Sequence, residues 1–316
     1  CLEQHPSLRE LAFHAAAGTE YAQTRQLTVN NLPHLEELHL PGCVDRLNLE
    51  DLPHLQMVRA KASGPTMDTR VDRLSSSAAL LLPARLNAQS VRLKNLPSLR
   101  SISLNPSRLT RLQLEEVPGL TAIVLNEQLS RNVTPSSATD ELHNCIVQAF
   151  QQCPSLRVLV IHNLPMDEAM LTMIEDCQGL YHLKLVDTPC DDAAAEQIAG
   201  IPTLAGLTIL HQPRRTSSTP RADLMCPATL NLATSKLKTL QLVSLPDLHS
   251  LQLPSGLTTL LLADLPELQS NLVLTGQNLH ALRLHDLPKL RSLDLGNCTA
   301  ADTDISNLNG LRSVRL

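Results

Sequence analysis

Leucine recurs in this chain at a spacing that fixes most of what the chain can become. Leu237-Leu240-Leu242, Leu257-Leu260-Leu262 and Leu279-Leu282-Leu284 each read L-x-x-L-x-L. A Leu-Pro pair follows each triplet, at Leu245-Pro246, Leu265-Pro266 and Leu287-Pro288. The N-terminal part repeats this with Val44-Leu47-Leu49 before Leu52-Pro53, Val91-Leu93 before Leu96-Pro97, and Leu109-Leu112-Leu114 before Val117-Pro118. The interval is about 20–22 residues, a period that marks stacked repeats rather than a single globular core.

Strand geometry explains the spacing. Side chains alternate with period two, so both leucines of L-x-L point to one face of a short strand. Neighbouring coils supply the next strand, in parallel. One coil cannot bury its own leucines, whereas a stack can. Proline falls just after the strand, where its missing N–H costs no ladder bond and its fixed φ helps set a turn. The leucines then return at Leu35-Leu38-Leu40, Leu99-Ile102-Leu104, Leu248-Leu251-Leu253 and Leu290-Leu293-Leu295. Each coil therefore carries two strand-like halves about ten residues apart, and its second side is extended rather than helical. Composition agrees. The chain is 43% hydrophobic but only 1% aromatic and has no Trp, so leucine must fill the volume that aromatic rings usually supply.

The middle of the chain differs. Leu156, Leu180 and Leu204 step by 24 residues, separated by "DEAMLTMIEDC" and "DDAAAEQIAG". Apolar residues at helical spacing, acidic first turns and a terminating Gly200 predict helices there. Thr139 to Gln152 predicts another, and residues 1–26 read as a helical N-terminal cap. The expected fold class is α/β, a leucine-rich-repeat solenoid over residues 27–316 with one continuous parallel sheet. Its convex side is extended at both ends and helical in the middle. Stretches near 60–87, 126–138 and 211–222 lack the period and read as loops. The last carries Arg214, Arg215 and Arg221 among Ser, Thr and Pro, an exposed site for proteolysis.

The segment "LPSGLTTLLLADLPELQSNLVL", with Pro254-Ser255-Gly256-Leu257, resembles the short leucine-rich repeats of type III secreted bacterial effectors, the IpaH-type ubiquitin ligases and YopM-like scaffolds. "LPGCVDRLNL" from Leu40 matches loosely. The 24-residue middle repeats are similar to the GALA type of plant-pathogen effectors. The family's Asn at the strand exit is mostly replaced here by Leu, as at Leu245 and Leu265, which also fits the repeats of plant immune receptors. The resemblance implies a virulence module, secreted into the host-cell cytoplasm, that binds a host protein. It leaves two alternatives open: the substrate-recognition or autoinhibitory region of a ubiquitin ligase whose catalytic domain lies outside this chain, and ligand-sensing repeats of a plant immune receptor.

Catalytic patterns are sparse. Cys190-Asp191-Asp192 is a C-x-D sequence, the pattern of the ligases' nucleophile, but it reads better as a turn in which Asp191 or Asp192 caps the next helix. Cys145 and Cys153 lie eight apart without a second ligand pair, which favours buried thiols over zinc. The eight cysteines show no disulfide-scaffold spacing. No nucleotide, hydrolase or metalloprotease motif is found, so this chain is expected to be neither an enzyme nor a cofactor binder. The formal charge of −5 gives no bulk positive field for nucleic acid or an anionic membrane.

What remains is a surface. Residues between the strand leucines project outward at matching heights in successive coils. They comprise Arg46, Asn48 and Glu50; Arg92 and Lys94; Arg111, Gln113 and Glu115. The series continues through His162, His182, Lys184, Thr239, Gln241, Arg283, His285 and Arg315. Arginine, a frequent hot-spot residue, is prominent among them.

Overall fold

The computed structural model describes residues 8–12, 24–40, 44–60, 90–104, 109–126, 140–211 and 225–315. The three expected loops, apart from their first residues, lie outside these. The chain is an α/β protein of mostly parallel strands with few helices, compatible with a solenoid-like repeat. It divides into two compact units, Cys1–Glu127 with Ala138–Arg157, and Gln128–Ser137 with Val158–Leu316.

In the first unit the strands are β1 (Glu10–Ala12), β2 (Thr24–Asn30), β3 (Glu37–Leu40), β4 (Val44–Glu50) and β5 (Met57–Ala60). They are followed by β6 (Ser90–Lys94), β7 (Ser101–Leu104), β8 (Arg111–Glu115), β9 (Ala122–Asn126) and helix α1 (Asp140–Gln152). Alternate strands pair. Those preceding Leu-Pro or Val-Pro form a parallel sheet in the order β2-β4-β6-β8, whereas β3 pairs with β1 and β5, and β7 with β9. The two halves of each coil thus build different sheets, as the doubled leucine pattern predicts. The expected N-terminal helix is corrected where residues are described. Glu10–Ala12 is a strand, with Leu11 opposite Leu38, and Thr24–Gln26 belongs to β2. Leu8 and Leu11 stand three apart, a spacing shared by a helix face and by L-x-x-L, and pairing with β3 decides between them.

The second unit opens with β10 (Val158–His162), α2 (Glu168–Asp176), β11 (His182–Val186), α3 (Asp192–Ala199) and β12 (Gly206–Leu210). Then come β13 (Thr229–Asn231), β14 (Thr239–Val243), β15 (Ser250–Gln252), β16 (Thr259–Ala263) and β17 (Asn271–Val273). The last are β18 (Asn278–His285), β19 (Ser292–Asp294), β20 (Thr299–Ser306) and β21 (Ser313–Arg315). A large parallel sheet runs β10-β11-β12-β14-β16-β18-β20, beside the smaller ladders β13-β15 and β17-β19-β21. Leu159, Leu183, Leu207, Leu240, Leu260 and Leu282 share one register level across that sheet and are almost wholly buried. Each such leucine contributes about 1.5–3 kcal/mol on leaving water.

The three helices expected within residues 139–200 form. Asp167 caps α2 by accepting the Met170 N–H at 2.9 Å, and Asp191 caps α3 by accepting the Ala194 N–H at 2.8 Å. Met170, Met173 and Ile174 of α2, and Ala194, Ala195 and Ile198 of α3, are buried.

The Leu-Pro pair proves to be the first half of a β-turn. The amide of the leucine three residues on donates to the first leucine's carbonyl: Leu55 to Leu52 at 3.1 Å, Leu290 to Leu287 at 3.3 Å. Proline sits at the second turn position, where its φ is already correct. One residue earlier the backbone is left-handed, with φ between 51° and 55° at Asn31, Asp51, Asn95, Ser244, Asp264 and Asp286. Asn and Asp tolerate that region better than other non-glycine residues. The turn leaves these N–H groups free to reach the adjacent coil: Asn95 to Glu115 O at 2.9 Å, Ser244 to Ala263 O at 3.0 Å, Asp264 to His285 O at 3.1 Å. The residue before Leu245 and the residue before Leu265 thus each bond the neighbouring coil through the backbone N–H.

Four substitutions test the register and the turn. Leu260→Ala should cost on the order of 2–5 kcal/mol in urea unfolding, and Thr259→Ala, its half-buried outward neighbour, less than about 0.5 kcal/mol. Asp264→Val should cost about 1–2 kcal/mol because a β-branched residue resists positive φ, whereas Asp264→Gly should be close to neutral.

Candidate functional site

The outward rows of the first unit are in register. Arg46, Ser90 and Arg111 are opposite one another; so are Asn48, Arg92 and Gln113, and then Glu50, Lys94 and Glu115. The alternation that buries Leu47, Leu49, Val91, Leu93, Leu112 and Leu114 turns these residues out. Arg46 and Arg111 are exposed, and Asn48, Arg92, Lys94 and Gln113 are half-buried. Arg92 Nη2 donates to Glu115 Oε1 at 3.3 Å, and Lys94 Nζ lies 3.3 Å from Glu50 Oε1. In so solvated a setting each pair contributes about 0–1 kcal/mol and chiefly holds side chains in place. The face carries four cations (Arg46, Arg92, Lys94, Arg111) against two carboxylates (Glu50, Glu115), a local excess of two positive charges on a chain of formal charge −5.

The remaining expected residues occupy other sheets, so no single sheet carries the series from Arg46 to Arg315. His162, His182, Lys184, Thr239, Gln241, Arg283 and His285 lie on the large sheet of the second unit, and Arg315 lies on β21 beside Asp294 at 3.7 Å. That face is less polar than the alternation predicts. Val243, Leu261 and Ala263 point outward yet are buried in a cluster with Leu210. Lys184 shares a register level with Thr208 and Gln241, and His182 is opposite Gly206. The His182 ring lies over Gly206 so closely that a Cβ there would clash with Nδ1. His182 Nε2 is 3.1 Å from Thr208 Oγ1, which donates to Gln241 Oε1 at 3.5 Å, a polar chain across three strands. Burial, and secondarily the Lys184 charge, lowers the His182 pKa; burial lowers that of Lys184. At the strand exit His162 approaches buried Asp187 at 3.9 Å.

The cysteine readings are also placed. Cys190 is buried, and desolvation, aided by nearby Asp191, pushes its thiol up to about 12, far from a nucleophile's range. Asp191 caps α3, and Asp192 accepts from the Ala228 and Thr229 amides and the Thr229 hydroxyl. Cys145 and Cys153 are buried, with raised pKa values caused mainly by burial. Among the described residues no group of three or more His, Cys, Asp or Glu side chains is placed to hold a metal ion, and no helix is long and apolar enough to cross a membrane. No protein-family model, curated protein or solved structure matches the chain.

Gly206→Ala should destabilise by about 1–3 kcal/mol through overpacking against His182. Adding His182→Ala should recover part of that loss, a non-additivity that chemical denaturation of the double-mutant cycle measures directly. The lowered His182 pKa sets a pH sign as well. Below the ordinary value of 6.5 the unfolded chain binds a proton that the folded chain resists, so His182 makes stability fall as pH drops from 7.5 to 5.5. His182→Gln should flatten that slope in melts across the same range.

Proposed function

We propose that this chain is a leucine-rich-repeat solenoid that recognises a protein, and that it serves as the host-binding region of a secreted bacterial effector. The effector assignment rests on the resemblance of its Leu-Pro repeats. The recognition reading rests on one observation, the face of β2-β4-β6-β8, where registered outward positions gather an excess of two positive charges on an otherwise acidic chain. Such a face fits an acidic patch on a folded partner. Arginine forks favour carboxylates, and segregated charge speeds encounter more than it adds affinity. The protonated, buried thiol of Cys190 supports recognition over catalysis in this chain.

The test is Arg46→Glu with Arg111→Glu. Both side chains are exposed, so the melting temperature should hold. Arg92 is a poorer choice, because it is half-buried against Glu115 and its reversal would place two carboxylates together. Proteins captured from host-cell lysate by the wild type should be depleted at least about tenfold by the double variant, with the difference shrinking as salt rises. An identical captured set from both proteins would remove this face from consideration.

A further inference from the structure

Cys190 and Cys226 lie far apart in sequence and meet at one junction of the second unit. The Cys190 N–H donates to Met225 O at 2.9 Å. That bond places the Cα atoms of Cys190 and Cys226 roughly 5–6 Å apart, within the window of about 4.4–6.8 Å that a disulfide spans. Further bonds hold the same junction. Asp192 Oδ1 accepts the Ala228 N–H at 2.6 Å and the Thr229 N–H at 3.1 Å, and Asp192 Oδ2 accepts the Thr229 hydroxyl at 2.7 Å. The start of α3 and the start of β13 are thus tied together on either side of Cys226. Folding itself brings the two cysteines together, so a link between them adds little further loss of chain entropy to the native state.

The two thiols have unequal surroundings. Cys190 is 1% exposed, whereas Cys226 is half-buried. Cys226 Sγ lies 3.6 Å from His211 Nδ1. His211 is fixed at the exit of β12, where its N–H donates to Val243 O at 3.1 Å. Burial, with the Asp247 charge second, pushes the Cys226 thiol up to about 11, so it is protonated at neutral pH and reacts only with a base beside it. An ionised Cys226 would in turn raise the Cys190 pKa, so the two sulfurs sense each other. One cysteine is partly open to solvent and has an imidazole against its sulfur. The other is enclosed and adjacent. This is the arrangement of an attacked cysteine and a resolving one.

We propose that Cys190 and Cys226 form a reversible disulfide site, oxidised by hydrogen peroxide with His211 as the base. His211 Nδ1 takes the Cys226 proton as the sulfur attacks one peroxide oxygen. The O–O bond breaks, an S–O bond forms, and the proton leaves with the other oxygen as water. A sulfenic acid condenses readily with a neighbouring thiol, so Cys190 reacts without prior ionisation. Its sulfur attacks the Cys226 sulfur, the S–O bond breaks, the S–S bond forms, and the Cys190 proton leaves with the hydroxyl as a second water. Two thiols lose two electrons between them, and one peroxide is reduced to two waters. The link would join the capping turn of α3 covalently to β13, where helix-bearing coils give way to extended ones. A dithiol reverses it by exchange. The charged face of the first unit takes no part, so this claim and the recognition reading can fail separately.

The test treats the full chain with millimolar hydrogen peroxide, digests it without reductant and maps the peptides by mass spectrometry. The Cys190–Cys226 cross-linked peptide should be the main disulfide and should disappear with dithiothreitol. The melting temperature of the oxidised protein should rise by about 5 °C or more, because the link restricts the unfolded chain. Cys190→Ala should abolish both effects and leave Cys226 to gain two oxygens as a sulfinic acid. Cys226→Ser, at a half-buried site, should also abolish the link and leave Cys190 reduced. His211→Gln should slow the linkage at least about tenfold yet reach the same product. The wild-type peptide map decides the linkage whatever the variants do to folding. No link, a main link to another cysteine, a lower melting temperature on oxidation, or an unchanged rate with His211→Gln would overturn the proposal.

Discussion

Burial of leucine against leucine at a shared register level is the constraint on which the other features depend. A short strand has one inward face, and two leucines fill it. Those side chains leave water only when the next coil supplies leucines at the same height, as Leu240, Leu260 and Leu282 do for one another. Register is therefore specified at every step, because a one-residue slip would turn the leucines out. With 1% aromatic residues there is little else to fill the interior, so stability is shared among many similar small contacts.

Keeping that register requires the chain to leave each strand in the same way. The left-handed residue before Leu-Pro does this. It reverses the chain, aims its N–H at the neighbouring coil, and leads into a turn whose proline has the needed φ. Asn and Asp also pair between coils, as Asn95 Nδ2 with Asp51 Oδ1 at 2.9 Å and Asn307 Nδ2 with Asp286 Oδ1 at 2.7 Å. Gly310, the third residue of its turn, shows how tight the stacking is, since a Cβ there would clash with the Pro288 carbonyl oxygen.

The leucine pattern was readable because its period is local. The same holds for α2 and α3, where apolar spacing and a capping Asp stand within one segment of sequence. The Asx ladder was also in plain view, at Asn31, Asp51, Asn95, Asp264 and Asp286, but counting leucines alone shifts attention one residue too far. The signal is an Asn or Asp immediately before Leu-Pro, and its meaning is conformational rather than hydrophobic. The contact of His182 with Gly206 was not readable. It depends on two residues 24 positions apart falling at the same height, and nothing near either residue marks it.

The outward positions show where alternation stops being informative. Period two determines which side a residue faces, but its neighbours on adjacent strands determine whether it meets water. Arg111 and Leu261 both face outward in otherwise similar strands, yet one is exposed and the other buried among Val243, Ala263 and Leu210. A ladder of candidate binding residues read from one period therefore mixes two environments. In the first unit the outward rows remain charged and solvated. In the middle of the large sheet, Lys184 and His182 are instead held in surroundings that disfavour charge, and an incoming carboxylate would meet the same desolvation cost that lowers their pKa values. The two faces can differ in salt and pH dependence even though one repeat generates both.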